Sequence, residues 1–292
     1  IHPLPRFARI VRSIARLLGC VLAVGNLPSA RMLSALSIAG SDPTGGAGLQ
    51  ADLQVFRAFG VHGGAVPTAL TIQDGLRVGQ VLPVFPTALL EMLRTTLDAL
   101  QPRAIKIGML GTDDAVRNVL LALAPLEDTP VVIDPVLAAS DGSALLERRA
   151  YPALRDLAFG RTLLTPNWPE AEILIGESLP RRRDGEAAAR QLLDDLKLSG
   201  VLLKGGHLDG DAADLLVLRD PSGAISAEWL PGERLPGDPV HGTGCALSAA
   251  IAAGLALGHP LRDAVIEARR YLRRAIEGAA TLPNGARILA LS

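Results

Sequence analysis

Hydrophobic positions along this chain fall into short apolar runs rich in β-branched residues, separated by longer stretches in which apolar residues recur every third or fourth position. The runs at 33–39, 65–72, 104–109, 131–134, 162–165, 201–204 and 215–218 predict strands. Several are apolar at consecutive positions, as strands covered on both faces must be. The intervening stretches predict helices. In 49–59, Leu49, Leu53 and Phe56 stand at i, i+4 and i+7, and Gly60 supplies the stop. This alternation specifies an α/β fold of three layers, α/β/α, with a mostly parallel central sheet. Sheets of that kind bind ligands at the carboxyl ends of their strands.

Residues able to do chemistry gather at those ends. Asp42 and the loop Gly45-Gly46-Ala47-Gly48 follow the first strand, Gln73-Asp74 the second, and Gly108-Met109 the third. Asp134 ends the fourth, Asn167 and Glu170 follow the fifth, and Lys204-Gly205-Gly206-His207 follow the sixth. The loop at 45–48 is neither a GxGxxG dinucleotide pattern nor a Walker A loop, because no Gly-Lys-Ser/Thr follows.

The most informative segment is His241-Gly242-Thr243-Gly244-Cys245, which runs directly into the apolar stretch 246–253. Glycines ahead of a helix leave backbone N–H groups pointing at one spot, where the helix dipole adds partial positive charge. Such a spot suits an anion. The Cys245 thiol on the first turn is placed to meet whatever that anion site holds, as nucleophile or proton acceptor. The plainer reading is a tight turn into a core helix with a buried cysteine.

Each remaining candidate also has two readings. Asn167 with Glu170 three residues later is a capping box, helped by Pro169, or a site that organises Mg²⁺ and its waters beside a nucleotide. Asp134 before Pro135 is a strand-end turn or an acid near that metal. Lys204 is a phosphate counter-charge or a snorkelling surface lysine.

Composition narrows the field. The chain has 292 residues, 49% of them hydrophobic and 20% charged, with a net charge of −1. That balance provides no basic surface for nucleic acid or anionic membrane, so a charged ligand must meet a local site. Two cysteines, Cys20 and Cys245, make no disulfide framework and no zinc motif. A reducing, cytoplasmic setting fits. No run approaches the ~20 apolar residues that cross a bilayer. Residues 1–31 differ in kind: Arg6, Arg9, Arg12 and Arg16 punctuate an apolar stretch with no acidic residue before Asp42. A basic amphipathic presequence, a secretory signal, for which the apolar run is too short, and a lipoprotein-like box at Leu17-Leu18-Gly19-Cys20, whose apolar run Arg16 breaks, are alternatives; with Met32 directly before the first strand, 1–31 is expected to be an upstream extension outside the fold and 32–292 a single domain.

Taken in order, the blocks Ala39-Gly40-Ser41-Asp42-Pro43-Thr44-Gly45-Gly46-Ala47-Gly48-Leu49-Gln50-Ala51-Asp52, Thr68-Ala69-Leu70-Thr71-Ile72-Gln73, Lys106-Ile107-Gly108-Met109-Leu110, Ile133-Asp134-Pro135-Val136, Thr165-Pro166-Asn167-Trp168-Pro169-Glu170-Ala171, Lys204-Gly205-Gly206-His207 and His241-Gly242-Thr243-Gly244-Cys245 resemble the hydroxymethylpyrimidine/phosphomethylpyrimidine kinase family of thiamine biosynthesis, which has a ribokinase-like fold. The resemblance implies ATP and Mg²⁺ as cofactors, an aminopyrimidine alcohol and then its monophosphate as acceptors, and a homodimer. It implies that Gly40, Asp52, Gln73 and Met109 bind the pyrimidine, with Asp52 and Gln73 on its hydrogen-bonding edge. Gly242, Thr243, Gly244 and Cys245 would hold the transferring phosphoryl group. Asn167, Lys204, Gly242 and Gly244 would bind the nucleotide, and Glu170 and Asp134 would act through the metal. The chain departs from the family pattern at Pro239-Val240, where Asn-Thr is usual, at Ala246 for Thr, and at Asp74 for Asn. A pyridoxal-type kinase on the same fold, or a catalytically silent pyrimidine-binding regulator, are the alternatives to this reading.

Overall fold

Along the central strands, neighbouring side chains leave the sheet in opposite directions and enter different apolar cores. Leu36 and Ile38, Ile105 and Ile107, Val131 and Ile133, and Val201 and Leu203 belong to one core. Their alternating neighbours Ala35, Ala104, Val132 and Leu202 belong to the other. A sheet packed on both faces needs helices on both sides. The computed structural model describes residues 32–139, 142–207 and 211–292. The basic stretch 1–31 lies outside the described residues.

The elements follow the chain as β1 (Ser34–Ser41), α1 (Gly48–Ala58), β2 (His62–Gln73), β3 (Val78–Pro83), α2 (Pro86–Leu100), β4 (Ala104–Ile107), α3 (Asp113–Leu123), β5 (Val131–Ile133), α4 (Tyr151–Ala158), β6 (Leu163–Leu164), α5 (Trp168–Ile175), α6 (Asp184–Asp195), β7 (Gly200–Leu203), β8 (Asp214–Arg219), β9 (Ile225–Leu230), α7 (Thr243–Ala256), α8 (Leu261–Glu277), β10 (Ala280–Thr281) and β11 (Arg287–Ile288). The main sheet has nine strands in the order β3-β2-β1-β4-β5-β6-β7-β8-β9. The pairs joining β2, β1, β4, β5, β6 and β7 are parallel. Both edges are antiparallel, through β3 on β2 and through β8 and β9 on β7. The expected three-layer α/β architecture is therefore present, with every predicted strand within a few residues of its expected bounds.

The edge strands β3 and β9 were not among the predicted elements. Gly79 and Pro83 disguise β3, which is exposed on both faces, and β9 is exposed on alternate positions, so neither reads as a covered apolar run.

Helices α2 to α6 fill one layer and α1, α7 and α8 the other. Helix α7 is apolar all round, as a helix enclosed by its neighbours must be. It packs against α1, α8 and strands β1, β4 and β5, with nearly every residue from Ala246 to Ala256 buried. Its N-terminus is thereby fixed at the carboxyl edge of the parallel strands. Among the described residues no helix is long and apolar enough to cross a membrane.

Candidate active site

The turn from β1 into α1 is held from within by Asp42. Its carboxylate accepts hydrogen bonds from the Thr44 N–H at 2.9 Å, the Thr44 hydroxyl at 2.8 Å and the Ala47 N–H at 2.9 Å. Gly48 closes the turn at φ +56, where a Cβ would fall 2.3 Å from the Gly40 carbonyl oxygen, so no other residue fits without moving the backbone. Burial alone would raise the Asp42 carboxyl, but hydrogen bonds from His241 and Thr44 outweigh it and hold the group below the ordinary aspartate value.

Opposite stands the loop into α7. Gly242 adopts a left-handed φ of 83 as N-cap and offers no capping side chain. Ala246 donates the first intrahelical bond, to Gly242 O at 2.9 Å. The amides of Thr243, Gly244 and Cys245 therefore precede the helical ladder, as the leading N–H groups of any helix do. Thr243, Gly244 and Cys245 line a cavity of about 300 Å³.

Cys245 lines the same cavity. Burial pushes its thiol above the ordinary cysteine value, with Asp52 and Asp134 acting in the same direction and Lys106 and the Gly48 N–H opposing. Burial thus disfavours the thiolate that a proton-acceptor role would use.

The charged wall consists of Asp134, Asn167, Glu170 and Lys204. Lys204 Nζ lies 2.7 Å from Asp134 Oδ1 and 4.0 Å from Glu170 Oε2. This is an inward ion pair, not a snorkelling lysine. Burial would lower the lysine's pKa, but Asp134 and Glu170 raise it above its ordinary value. Glu170 is pushed up by burial and by Asp134, against the pull of Lys204. A Cβ on Gly244 would stand 3.4 Å from both Asp134 Oδ2 and Lys204 Nζ, so the cluster borders the start of α7. The capping box is also present: the Glu170 N–H donates to Asn167 Oδ1 and the Asn167 N–H donates to Glu170 Oε2, both at 2.8 Å. Both residues line the cavity while capping α5, so the cap leaves them open to it.

The far end is less charged. Gly40, Gln73 and Met109 line it there, while Val136 lies between Asp134 and Leu137, beside the charged wall. A Cβ on Gly40 would come within 2.9 Å of Met109 Sδ, so the glycine lets the methionine lie against β1. Gln73 donates from Nε2 to the Thr71 hydroxyl at 2.7 Å, and that hydroxyl donates to Ser41 O at 2.8 Å. Val136 holds φ +40, an unfavourable conformation for a β-branched residue, stored in the cavity wall.

Asp52 is the exception among the expected site residues. It is fully buried, with its Oδ2 paired to Lys106 Nζ at 2.7 Å and accepting from the Ser37 hydroxyl. It does not line the cavity. The helical turn that carries it faces the sheet, so a group expected to touch a ring instead neutralises a buried lysine. Burial opposes ionisation of Asp52, while Lys106 and Ser37 favour it. Asp74, at a point of departure from the family pattern, is exposed and accepts from the N–H groups of Leu76 and Arg77, which is turn formation and not ligand chemistry. Ala246, another departure, is buried in the core. Sequence reasoning missed the contact of His241 with Asp42, at 2.9 Å across 199 positions, and the strain at Val136.

Residues 42–289 match the family model described as phosphomethylpyrimidine kinase. The chain is 40% identical over 253 residues to the hydroxymethylpyrimidine/phosphomethylpyrimidine kinase of Rhizobium meliloti, a match covering 86% of this chain and 93% of that one. It is 40% identical over 251 residues to the thiamine biosynthesis multifunctional protein ThiED of Corynebacterium efficiens, covering 86% of this chain and 33% of the relative. The chain thus spans a third to a half of such fused relatives. Among solved structures, the ADP complex of Bacillus subtilis pyridoxal kinase superposes with a TM-score of 0.79 at 32% identity, covering 88% of this chain and 96% of that one.

Proposed function

This chain belongs to the phosphomethylpyrimidine kinase family, and we propose that it is an ATP-dependent kinase of thiamine biosynthesis. It transfers the terminal phosphoryl group to the hydroxymethyl oxygen of 4-amino-5-hydroxymethyl-2-methylpyrimidine, and then to the resulting monophosphate. One observation carries the reading: a single cavity is lined by the first residues of α7, by a charged wall suited to phosphates and, at Gly40, Gln73 and Met109, by a less polar end suited to a flat ring.

At that end Gln73 hydrogen-bonds the aminopyrimidine edge, while Met109, admitted by Gly40, packs on its face. The amides of Gly242 to Cys245 orient the phosphoryl group and stabilise the charge that spreads over its oxygens. Lys204 counters the nucleotide phosphates. Asp134 and Glu170, which both face the Lys204 ammonium, supply the hard-oxygen donors that would hold Mg²⁺, and a nucleotide-borne Mg²⁺ commonly takes only one or two carboxylates. When bound, Mg²⁺ supplies charge neutralisation at the β- and γ-phosphates.

The neutral Cys245 thiol admits the second acceptor. A carboxylate there would oppose an incoming phosphate by roughly 4 kcal/mol for unit charges about 4 Å apart at an effective dielectric of about 20. A neutral thiol carries no such repulsion. We further propose a cytoplasmic homodimer, the setting in which ATP is supplied.

The test is a one-pot assay of ATP and Mg²⁺ with hydroxymethylpyrimidine, pyridoxal and pyridoxine. Hydroxymethylpyrimidine is expected to give both mono- and diphosphate. Sole turnover of pyridoxal would favour the second reading, which rests on the likeness to the B. subtilis pyridoxal kinase. Absence of ATP turnover with every acceptor would leave a regulator.

A further inference from the structure

We propose that His241 is a positioning residue for phosphoryl transfer, clasped by Asp42 so that the loop after β1 and the loop before α7 are locked in one geometry. This rests on the kinase reading above and assigns the device that aims its phosphoryl site.

His241 is anchored from two sides. Its N–H donates to Arg287 O at 2.9 Å, in a parallel bridge with Ile288 of β11. Its Nε2 meets Asp42 Oδ2 at 2.9 Å. The remaining capacity of Asp42, which is 2% exposed, is taken by Thr44 and Ala47. The clasp therefore joins a rigid, internally capped turn to the residue immediately before Gly242.

The two backbones also touch. A Cβ on Gly242 would fall 1.8 Å from Gly46 O, and a Cβ on Gly46 would fall 2.9 Å from His241 Cδ2 and 2.8 Å from Ile288 Cγ2. The space between these loops is filled by backbone, the imidazole edge and the Ile288 side chain. The direction of the Thr243, Gly244 and Cys245 amides is thus set by how Gly242 rests on Gly46, and His241 keeps it there. His241 itself stays at the cavity rim, with its side chain 20% exposed and outside the two apolar cores. Its loss should disturb aim more than folding. A misplacement of about 1 Å in a transfer site costs on the order of 100-fold in rate.

The experiment compares wild type, His241→Ala, His241→Gln and Gly46→Ala, measuring kcat and KM for hydroxymethylpyrimidine and for ATP, with thermal unfolding alongside. The Gln variant can place an amide nitrogen near the position of Nε2. Expected are a 30- to 100-fold loss of kcat in His241→Ala with pyrimidine KM within about threefold, and recovery to within about fivefold of wild type in His241→Gln. Gly46→Ala, which retains every polar group of the clasp but wedges the loops apart, should lose kcat like His241→Ala. If His241→Ala fails to fold, the Gln and Gly46 variants still decide, since a Gly46→Ala enzyme with wild-type kcat overturns the proposal. So does a His241→Gln enzyme as slow as His241→Ala, or a loss carried by KM alone. Absence of transfer by the wild-type protein overturns the kinase reading instead, and the aiming role with it.

Discussion

The buried pair of Lys106 and Asp52 gives a prediction that separates structural from ligand-binding roles. Both side chains are 0% exposed and their charged atoms lie 2.7 Å apart. Replacing Lys106 by Met removes the ammonium and leaves Asp52 with the Ser37 hydroxyl, while its Oδ1 already has no hydrogen-bond partner among the described residues. An uncompensated buried charge of this kind costs about 3–5 kcal/mol. For a domain of this size each kcal/mol lowers the midpoint by roughly 2–4 °C, so Lys106→Met should melt about 10 °C below wild type. Asp52→Asn should fall by a comparable amount, because the lysine then lacks its counter-charge. The double replacement Lys106→Met with Asp52→Leu should recover most of the loss, since apolar groups of similar volume often match a buried ion pair. Urea unfolding by circular dichroism reads all of these, with pyrimidine KM measured on the folded fraction. Should Lys106→Met unfold within about 1 kcal/mol of wild type, the burial reasoning is wrong. Should Asp52→Asn raise the pyrimidine KM with stability unchanged, Asp52 reaches the ring after all.

Further outcomes follow from the site. With Cys20 replaced by Ser, Cys245 should alkylate with iodoacetamide more slowly than a free cysteine at about pH 8, because burial raises its thiol; a faster rate would mean a thiolate is present. Asp42 is held below the ordinary aspartate value, so its stabilising effect is present above about pH 4 and is lost as pH falls through its folded value. The stability gap between wild type and Asp42→Asn should therefore be larger at about pH 5 than at about pH 3, and a gap that widens on acidification would contradict this. Lys204→Met should lower kcat by on the order of 100-fold and raise the KM for ATP more than that for the pyrimidine; the reverse split would assign the two ends of the cavity backwards.

The layered fold was legible because the central strands are apolar on consecutive positions, and the site because strand ends converge on one edge. Glu170 shows how far one sequence signal reaches: its spacing from Asn167 marks a capping box, and the same side chain faces the cavity. Asp52 marks the limit. The family resemblance implied a ligand contact there, but whether a carboxylate faces ligand or core depends on a lysine 54 positions away on β4. His241 and Asp42 are farther apart still, and only the packing of Gly46 against Gly242 makes them neighbours. The Ile225–Leu230 strand left an alternation that a search for half-exposed strands would have found.

The bond from the His241 N–H to Arg287 O has a further consequence during synthesis. A nascent polypeptide that has already emerged through α7 still lacks the late hairpin on which His241 leans. Most of the sheet can assemble on the ribosome, but the entrance to α7 is completed only by residues translated more than forty positions later. The entrance to α7 should therefore be completed later than the sheet during synthesis.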